Sequence, residues 1–132
     1  TGMDKHSELA ESGALYLGEN LPSIRRTKDA SLRDTYYWYY ATQFMYHMGG
    51  EHWKRWNDRL HPLLVNGQEP EGDLAGSWDP RRPVPDRWGP HAGRLYVTTM
   101  NLLSLEVHYR HLPLYENKKD SDNSVVPDQD QQ

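Results

Sequence analysis

No cysteine occurs in the 132 residues of this chain. That absence removes disulfides, thiolate zinc sites and cysteine nucleophiles together, and it leaves the compartment open. No apolar run approaches the roughly 18 residues a membrane helix needs, and the N-terminus lacks the apolar core of a signal peptide. A soluble protein without a membrane span is expected, cytoplasmic or exported through an upstream signal, with Thr1-Gly2 ahead of Met3 read as an expression remnant. A dominant charge is missing as well: 15 Lys and Arg face 19 Asp and Glu, a formal net charge of -4 with interspersed signs. That balance argues against nucleic acid as a partner, and the small basic cluster of Arg25, Arg26 and Lys28 reads as a solvated loop. Apolar residues are scarce at 36%, and the mean hydropathy is -0.98. What the chain has instead is 9 Tyr and 5 Trp, large rings that supply a core if they face inward. One domain of this length buries only about two-thirds of its surface, so its stability margin is thin.

The apolar spacing predicts four helices and an all-α fold. Leu9, Ala10, Gly13, Ala14, Leu15 and Leu17 recur at helical intervals from Ser7 to about Asn20, where Leu21-Pro22 closes the segment. A polar connector follows from Ser23 to Arg33. Asp34 and Thr35 are both N-cap types, and a second helix runs from them to Met48, ended by Gly49-Gly50 in the place of a C-cap glycine. Its rings, from Tyr36 through Tyr40 and on to Phe44 and Tyr46, cover more than one face, so burial on most sides is expected. A third helix from Glu51 to about Asn66 carries one stripe of Trp53, Trp56, Leu60, Leu63 and Leu64, with Lys54, Arg55, Asp58 and Arg59 outside. Pro62 falls within it and predicts a kink or an early stop near His61. The fourth helix spans about Ala92 to His111, with Leu95, Tyr96, Thr99, Leu102, Leu103, Leu105, Glu106, Tyr109 and Leu112 in step. Residues 3–115 are read as one helical-repeat domain and residues 116–132 as a disordered polar tail.

Between the third and fourth helices lies a proline-rich stretch with Pro70, Pro80, Pro83, Pro85 and Pro90. Pro70 and Gly72 prevent a helix from continuing past Gln68. Gln68 followed by Gly76, Ser77 and Trp78 forms a Gln-x7-Gly-x-Trp pattern, in which the Gln side chain bonds orphan groups at a helix end while the Trp78 indole packs against it. This loop clamp of Gln68, Gly76 and Trp78, with Trp88 as a second anchor, is expected to order the loop. The plainer reading makes Trp78 one more core aromatic. Two helical hairpins then repeat with a period of roughly 50 to 60 residues.

Taken together, Asp34-Thr35-Tyr36-Tyr37-Trp38-Tyr39-Tyr40-Ala41-Thr42, Met48-Gly49-Gly50-Glu51, Trp53 with Trp56-Asn57, Gly76-Ser77-Trp78-Asp79-Pro80 and Gly93-Arg94-Leu95-Tyr96 resemble the prenyltransferase and squalene oxidase repeat family. Leu105-Glu106-Val107 and Leu112-Pro113-Leu114-Tyr115 extend the resemblance over roughly residues 7–115, and it is closest to C-terminal repeats of large bacterial proteins of planctomycete type. It implies the α/α toroid of terpenoid cyclases and protein prenyltransferases, with the second and fourth helices in an inner ring and the first and third in an outer one. Two hairpins make only an arc of such a toroid, so the chain reads as part of a longer protein.

The chemistry of that family is not matched residue by residue. The cyclase proton donor is an Asp-x-Asp-Asp motif, absent here, and the prenyltransferase zinc set of Asp, Cys and His fails for want of cysteine and because Val97 follows Tyr96. His108 and His111, at i and i+3, suit a helix C-terminus better than a metal site that lacks a third ligand. His47 and His52 read as surface caps. Glu106 in an apolar run is either a perturbed buried carboxylate or an i, i+4 partner of Arg110, the second being the ordinary case. Asp79 and Asp86 read as turn formers, with Arg94 paired to one of them. Ser77 lacks the glycine elbow of a hydrolase. No catalytic residue, metal or cofactor is assigned. The expected function is a non-catalytic binding or structural module whose concave aromatic face, with Tyr36, Tyr37, Tyr40, Phe44, Tyr96 and Glu106 as lining residues, holds an apolar small molecule or a peptide. The rival is a lobe of an isoprenoid cyclase or prenyltransferase-like enzyme whose acid or metal lies in other repeats. An apolar edge left by missing hairpins would be covered by the rest of the toroid or by a homodimer.

Overall fold

The computed structural model describes residues 7–24 and 33–110, and among these every regular element is a helix. The order is α1 (Glu8–Glu19), α2 (Thr35–Met48), α3 (Gly50–Asn66) and α4 (Gly89–Arg110). Caps set most of these bounds. The Ser7 side chain accepts from the Ala10 N–H at 3.1 Å, and Glu8 and Glu11 sit at the positive end of α1. Asp34 accepts from the Tyr37 N–H at 3.0 Å to open α2. Gly49 and Gly50 have φ of 69° and 52°, angles open to glycine, so α2 ends and α3 begins across a single residue.

The helices converge on α2. α2 touches α1, α3 and α4; α1 touches α3; α3 touches α4; α1 and α4 do not meet. Trp38, Met45, Trp56, Leu60, Leu64, Trp78 and Val97 fill the space between the helices. At its centre the Trp56 Nε1–H donates to the Thr42 hydroxyl at 3.0 Å, and that hydroxyl donates to the Trp38 carbonyl, so a buried polar chain ties α3 to α2.

Each helix faces its neighbours in a way that corrects part of the sequence reading. α1 packs through Ala10, Ala14 and Gly18, and a Cβ on Gly13 would lie 3.3 Å from the Phe44 ring; close approach of small residues seats this helix, with Leu17 partly buried against the core. Leu9 and Leu15 point outward. α2 is not buried on most sides: Thr35, Trp38, Ala41, Thr42 and Met45 form one covered face, while Tyr36 and Tyr40 are half exposed, because three helices leave its remaining face without a neighbour. α3 runs through Pro62 to Asn66 without stopping. Pro62 offers no N–H to the Asp58 carbonyl, and both residues lie on the exposed side of the helix.

α4 departs most. Its buried line is Val97, Asn101, Ser104 and Val107, whereas Leu95 is 82% exposed and Leu102 and Tyr109 stand on the outside with it. The helix is apolar on two sides, and the side that meets α2 and α3 carries its smaller residues. It begins at Gly89 with one short turn, broken at Gly93 by a φ of 82° before the long segment from Arg94. Glu106 is an exposed ion-pair partner of Arg110 at 3.0 Å. The Arg25, Arg26 and Lys28 cluster, the His108 side chain, His111 and the expected tail lie outside the described residues.

Candidate functional site

The proline loop is held from both ends by hydrogen bonds. Glu69 and Gly76 pair across its neck, with Gly76 N–H to Glu69 O and Glu69 N–H to Ser77 O each at 2.8 Å. Trp78 then plunges into the core, where its Nε1–H caps the Leu64 carbonyl of α3 at 2.9 Å and its ring lies against Gly67. The helix-end bond expected of Gln68 is made by the indole itself. Gln68 is half-buried, and the bonds at the neck come from its neighbour Glu69. Trp88, expected as a second anchor, is 46% exposed, with the Arg87 guanidinium 5.3 Å above its ring.

What replaces Trp88 is Asp86, a buried carboxylate rather than a simple turn former. Its Oδ1 accepts from the Trp88 and Gly89 N–H groups at 3.0 and 2.9 Å, and its Oδ2 accepts from the Thr35 N–H at 2.9 Å. One side chain thus caps the starts of both α2 and α4. Beside it the buried Arg33 donates Nη1 to the carbonyls of Arg82 and Val84 at 2.8 and 3.0 Å. Burial draws the Arg33 guanidinium below its usual value, and Asp86 and Asp79 oppose that drift. Arg94 reaches Ser77 Oγ at 3.0 Å and Asp79 Oδ2 at 3.1 Å, which ties the long segment of α4 to the loop. Burial raises the Asp79 carboxyl, but hydrogen bonds from Arg81 and Arg82 outweigh it and hold the group at about 2.

Of the expected lining residues, Tyr36, Tyr37, Tyr40 and Phe44 meet in one open groove of about 890 Å³ between α1 and α2, joined by Tyr16, Leu17 and Leu21 and rimmed by Glu19, Asp34 and Arg87. The Tyr36 and Tyr40 rings lie 4.8 Å apart. A hydrogen bond with Tyr36 raises the Tyr40 phenol, and burial, aided by Tyr16 and Asp34, pushes Tyr37 up to about 12. The Tyr37 hydroxyl donates to the Asn20 carbonyl at 3.0 Å and pins the end of α1. Tyr96 does not line the groove; burial raises its phenol, with smaller effects from Asp86, Asp34, Tyr36 and Tyr40. Glu106 stands apart from the groove on the outer side of α4. The concave face expected from α2 and α4 is therefore, as a groove, an α1–α2 feature.

A second hollow of about 800 Å³ lies between α3, the proline loop and the buried sides of α2 and α4, with Trp38, Leu63, Trp78, Pro83 and Asn101 in its wall. Sequence reasoning missed it, since Asn101 sits in a run read as apolar. Both polar atoms of the Asn101 carboxamide and the Trp38 Nε1–H lack hydrogen-bond partners, although the two residues are 1% and 2% exposed. Each unpaired buried group costs about 1–3 kcal/mol.

Among the described residues no cluster of three or more His, Asp or Glu is placed to hold a metal ion, and no helix is long and apolar enough to cross a membrane. His52 pairs with Glu11 at 2.9 Å, linking α3 to α1. No protein family, curated protein or solved structure matches the chain in comparison.

Proposed function

We propose that this chain is an arc of an α/α toroid of the prenyltransferase and squalene oxidase repeat kind and works as a binding module, its α1–α2 groove taking the apolar side chains of a peptide. The observation that carries this reading is the convergence of Tyr16, Tyr36, Tyr37, Tyr40 and Phe44 on one open groove with a charged rim. Rings with polar tips supply large contact area at low entropic cost, and half-exposed rings that touch one another are already ordered for a ligand. The contacts of α2 with α4 and of α1 with α3 are those that an inner and an outer ring of a toroid would make. The outward line of Leu95, Leu102 and Tyr109, seven residues apart, suits a further helix laid against α4.

The test is native mass spectrometry of the chain with apolar and aromatic peptides, squalene and isoprenoid diphosphates, repeated on Tyr36→Ala. Peptide binding that is lost in the variant supports the module. Retention of an isoprenoid instead moves the chain to the rival reading, a lobe of an isoprenoid enzyme completed by other repeats, and binding of neither class rejects the groove. Molar mass measured over a range of concentrations separates the coverings of α4: a dimer means a second copy, and a monomer throughout leaves a hairpin of a longer chain.

A further inference from the structure

The α1–α2 groove differs from the hollow under the proline loop in what a ligand can reach. Trp38, Trp78 and Asn101 in the hollow are almost fully covered, whereas Tyr16, Tyr36 and Tyr40 of the groove are half or more exposed. Three phenol rings thus offer their surface directly to a partner. The face of such a ring carries negative potential and attracts a cation. The rim supplies a precedent, since the Arg87 guanidinium lies 5.3 Å from the centre of the Trp88 ring.

The charges around the groove favour a cation as well. Its charged lining is Glu19, Asp34 and Arg87. Arg87 Nη1 and Asp34 Oδ2 lie 3.8 Å apart and answer each other, and Asp34 Oδ1 caps α2. Glu19, exposed in the last turn of α1, has no hydrogen-bond or ion-pair partner among the described residues. That turn holds no basic residue, so the carboxylate adds to the negative end of the α1 dipole. Arg55, whose Nη1 approaches Gly18, borders a separate hollow with Glu51, Lys54 and Asp58. The start of α2, which would draw an anion, already has two carboxylates on its N–H groups, Asp34 on Tyr37 and Asp86 on Thr35.

The geometry points to an arginine of the bound peptide as the anchor of this groove, its guanidinium stacked on the exposed tyrosine faces and paired with Glu19. This assignment rests on the peptide-binding reading and names the side chain that the groove selects. Guanidinium suits the site better than ammonium: it is planar and more weakly hydrated, and it offers a fork of N–H groups to a carboxylate while its face lies on a ring. An apolar side chain uses the rings equally well but leaves Glu19 unanswered, and an acidic one meets it as a like charge. The overall charge of -4 draws a basic segment toward the chain at long range.

The probe is acetyl-Leu-Arg-Leu-amide, titrated into the full chain by calorimetry beside the same peptide with citrulline, a neutral near-isostere of arginine. The arginine peptide should bind at least about tenfold more tightly, the gain of one charge-assisted contact, and the preference should shrink as salt rises to about 0.5 M. Glu19→Gln should bring the arginine peptide down to the citrulline value and leave the citrulline value itself unchanged; Glu19 is exposed, so the fold is not at stake. Tyr36→Ala should weaken both. If the two peptides bind equally and both are lost in Tyr36→Ala, the anchor is overturned and the peptide groove stands; if neither binds, both readings fall. A lysine peptide as tight as the arginine one, or a preference for arginine that survives Glu19→Gln, would also overturn the assignment, the first by removing the stacked guanidinium and the second by removing its carboxylate.

Discussion

The proline loop and the α1–α2 groove invert what their compositions suggest. The loop is polar, carries four of the nine prolines and has no regular structure, yet it contains Trp78 and Asp86, among the least exposed side chains, and hydrogen bonds tie its neck and its far end. The groove is built on regular helix and dense in aromatics, yet Tyr16, Tyr36 and Tyr40 remain half or more exposed. Order in the loop comes from closing backbone groups at three helix ends: Leu64 of α3, Thr35 of α2 and Gly89 of α4. Surface in the groove is left over after α1 and α2 have satisfied themselves. A region's hydropathy therefore says less about its rigidity here than where its backbone hydrogen bonds go.

Truncating the loop's indole breaks the comparison most directly. Trp78→Ala should destabilise the chain by about 3–5 kcal/mol in urea unfolding, through the lost ring and the uncapped Leu64 carbonyl, and a change below about half a kcal/mol would mean that the loop is not a stabilising element. Next comes Asp86→Ala, expected to cost about 3 kcal/mol, since it strips three backbone N–H groups of their acceptor and leaves Arg33 buried without its nearby carboxylate. Asp86→Asn keeps an acceptor and should cost less; equal losses would point to packing rather than capping.

Asp79 sharpens the comparison through pH. Its folded value, about 2, lies below the ordinary 3.8, so its contribution is fully present above about pH 4 and is lost as pH falls through 2. Unfolding measured across that window should show stability dropping on acidification, with the drop reduced in Asp79→Asn, which should itself cost about 1–2 kcal/mol at neutral pH. If both proteins follow the same acid profile, the ties of Asp79 to Arg82 and Arg94 contribute nothing. The smallest effect belongs to the groove: Tyr36→Ala should alter stability by less than about 1 kcal/mol while weakening peptide binding tenfold or more, checked by unfolding and titration side by side. A large stability loss there would make the groove core rather than site.

Local chemistry was legible in the sequence. Ser7, Asp34 and Gly49 mark helix ends by their own side chains or lack of one, so α1, α2 and the start of α3 stand within a residue or two of expectation. Tyr36, Tyr37, Tyr40 and Phe44 could be grouped because they share one helix at neighbouring turns. Facing was less legible. In α4 the covered side bears valine, asparagine and serine and the open side bears leucine, so hydropathy selects the wrong stripe. Long-range pairing left no local trace: Arg33 meets Val84, and Thr35 meets Asp86, across 51 residues, and no spacing rule connects them. The hollow beside Asn101 was hidden for the same reason, being made by elements that adjoin only after folding.

Gly93 divides α4 by geometry alone, its φ of 82° setting one short turn apart from the helix that follows. Before the break, the His91 and Ala92 amides bond to the Trp88 carbonyl, a loop residue, and Arg94 after it belongs with the core-facing segment. In terms of amide exchange, the molecule then has a border at residue 93 where its continuous helix would hide one. Protons on the near side should leave with the opening of the proline loop, and those from Val97 onward only with the global unfolding of the helices. An alanine at this position would favour fusing the two segments, and the loop would lose its freedom to open alone.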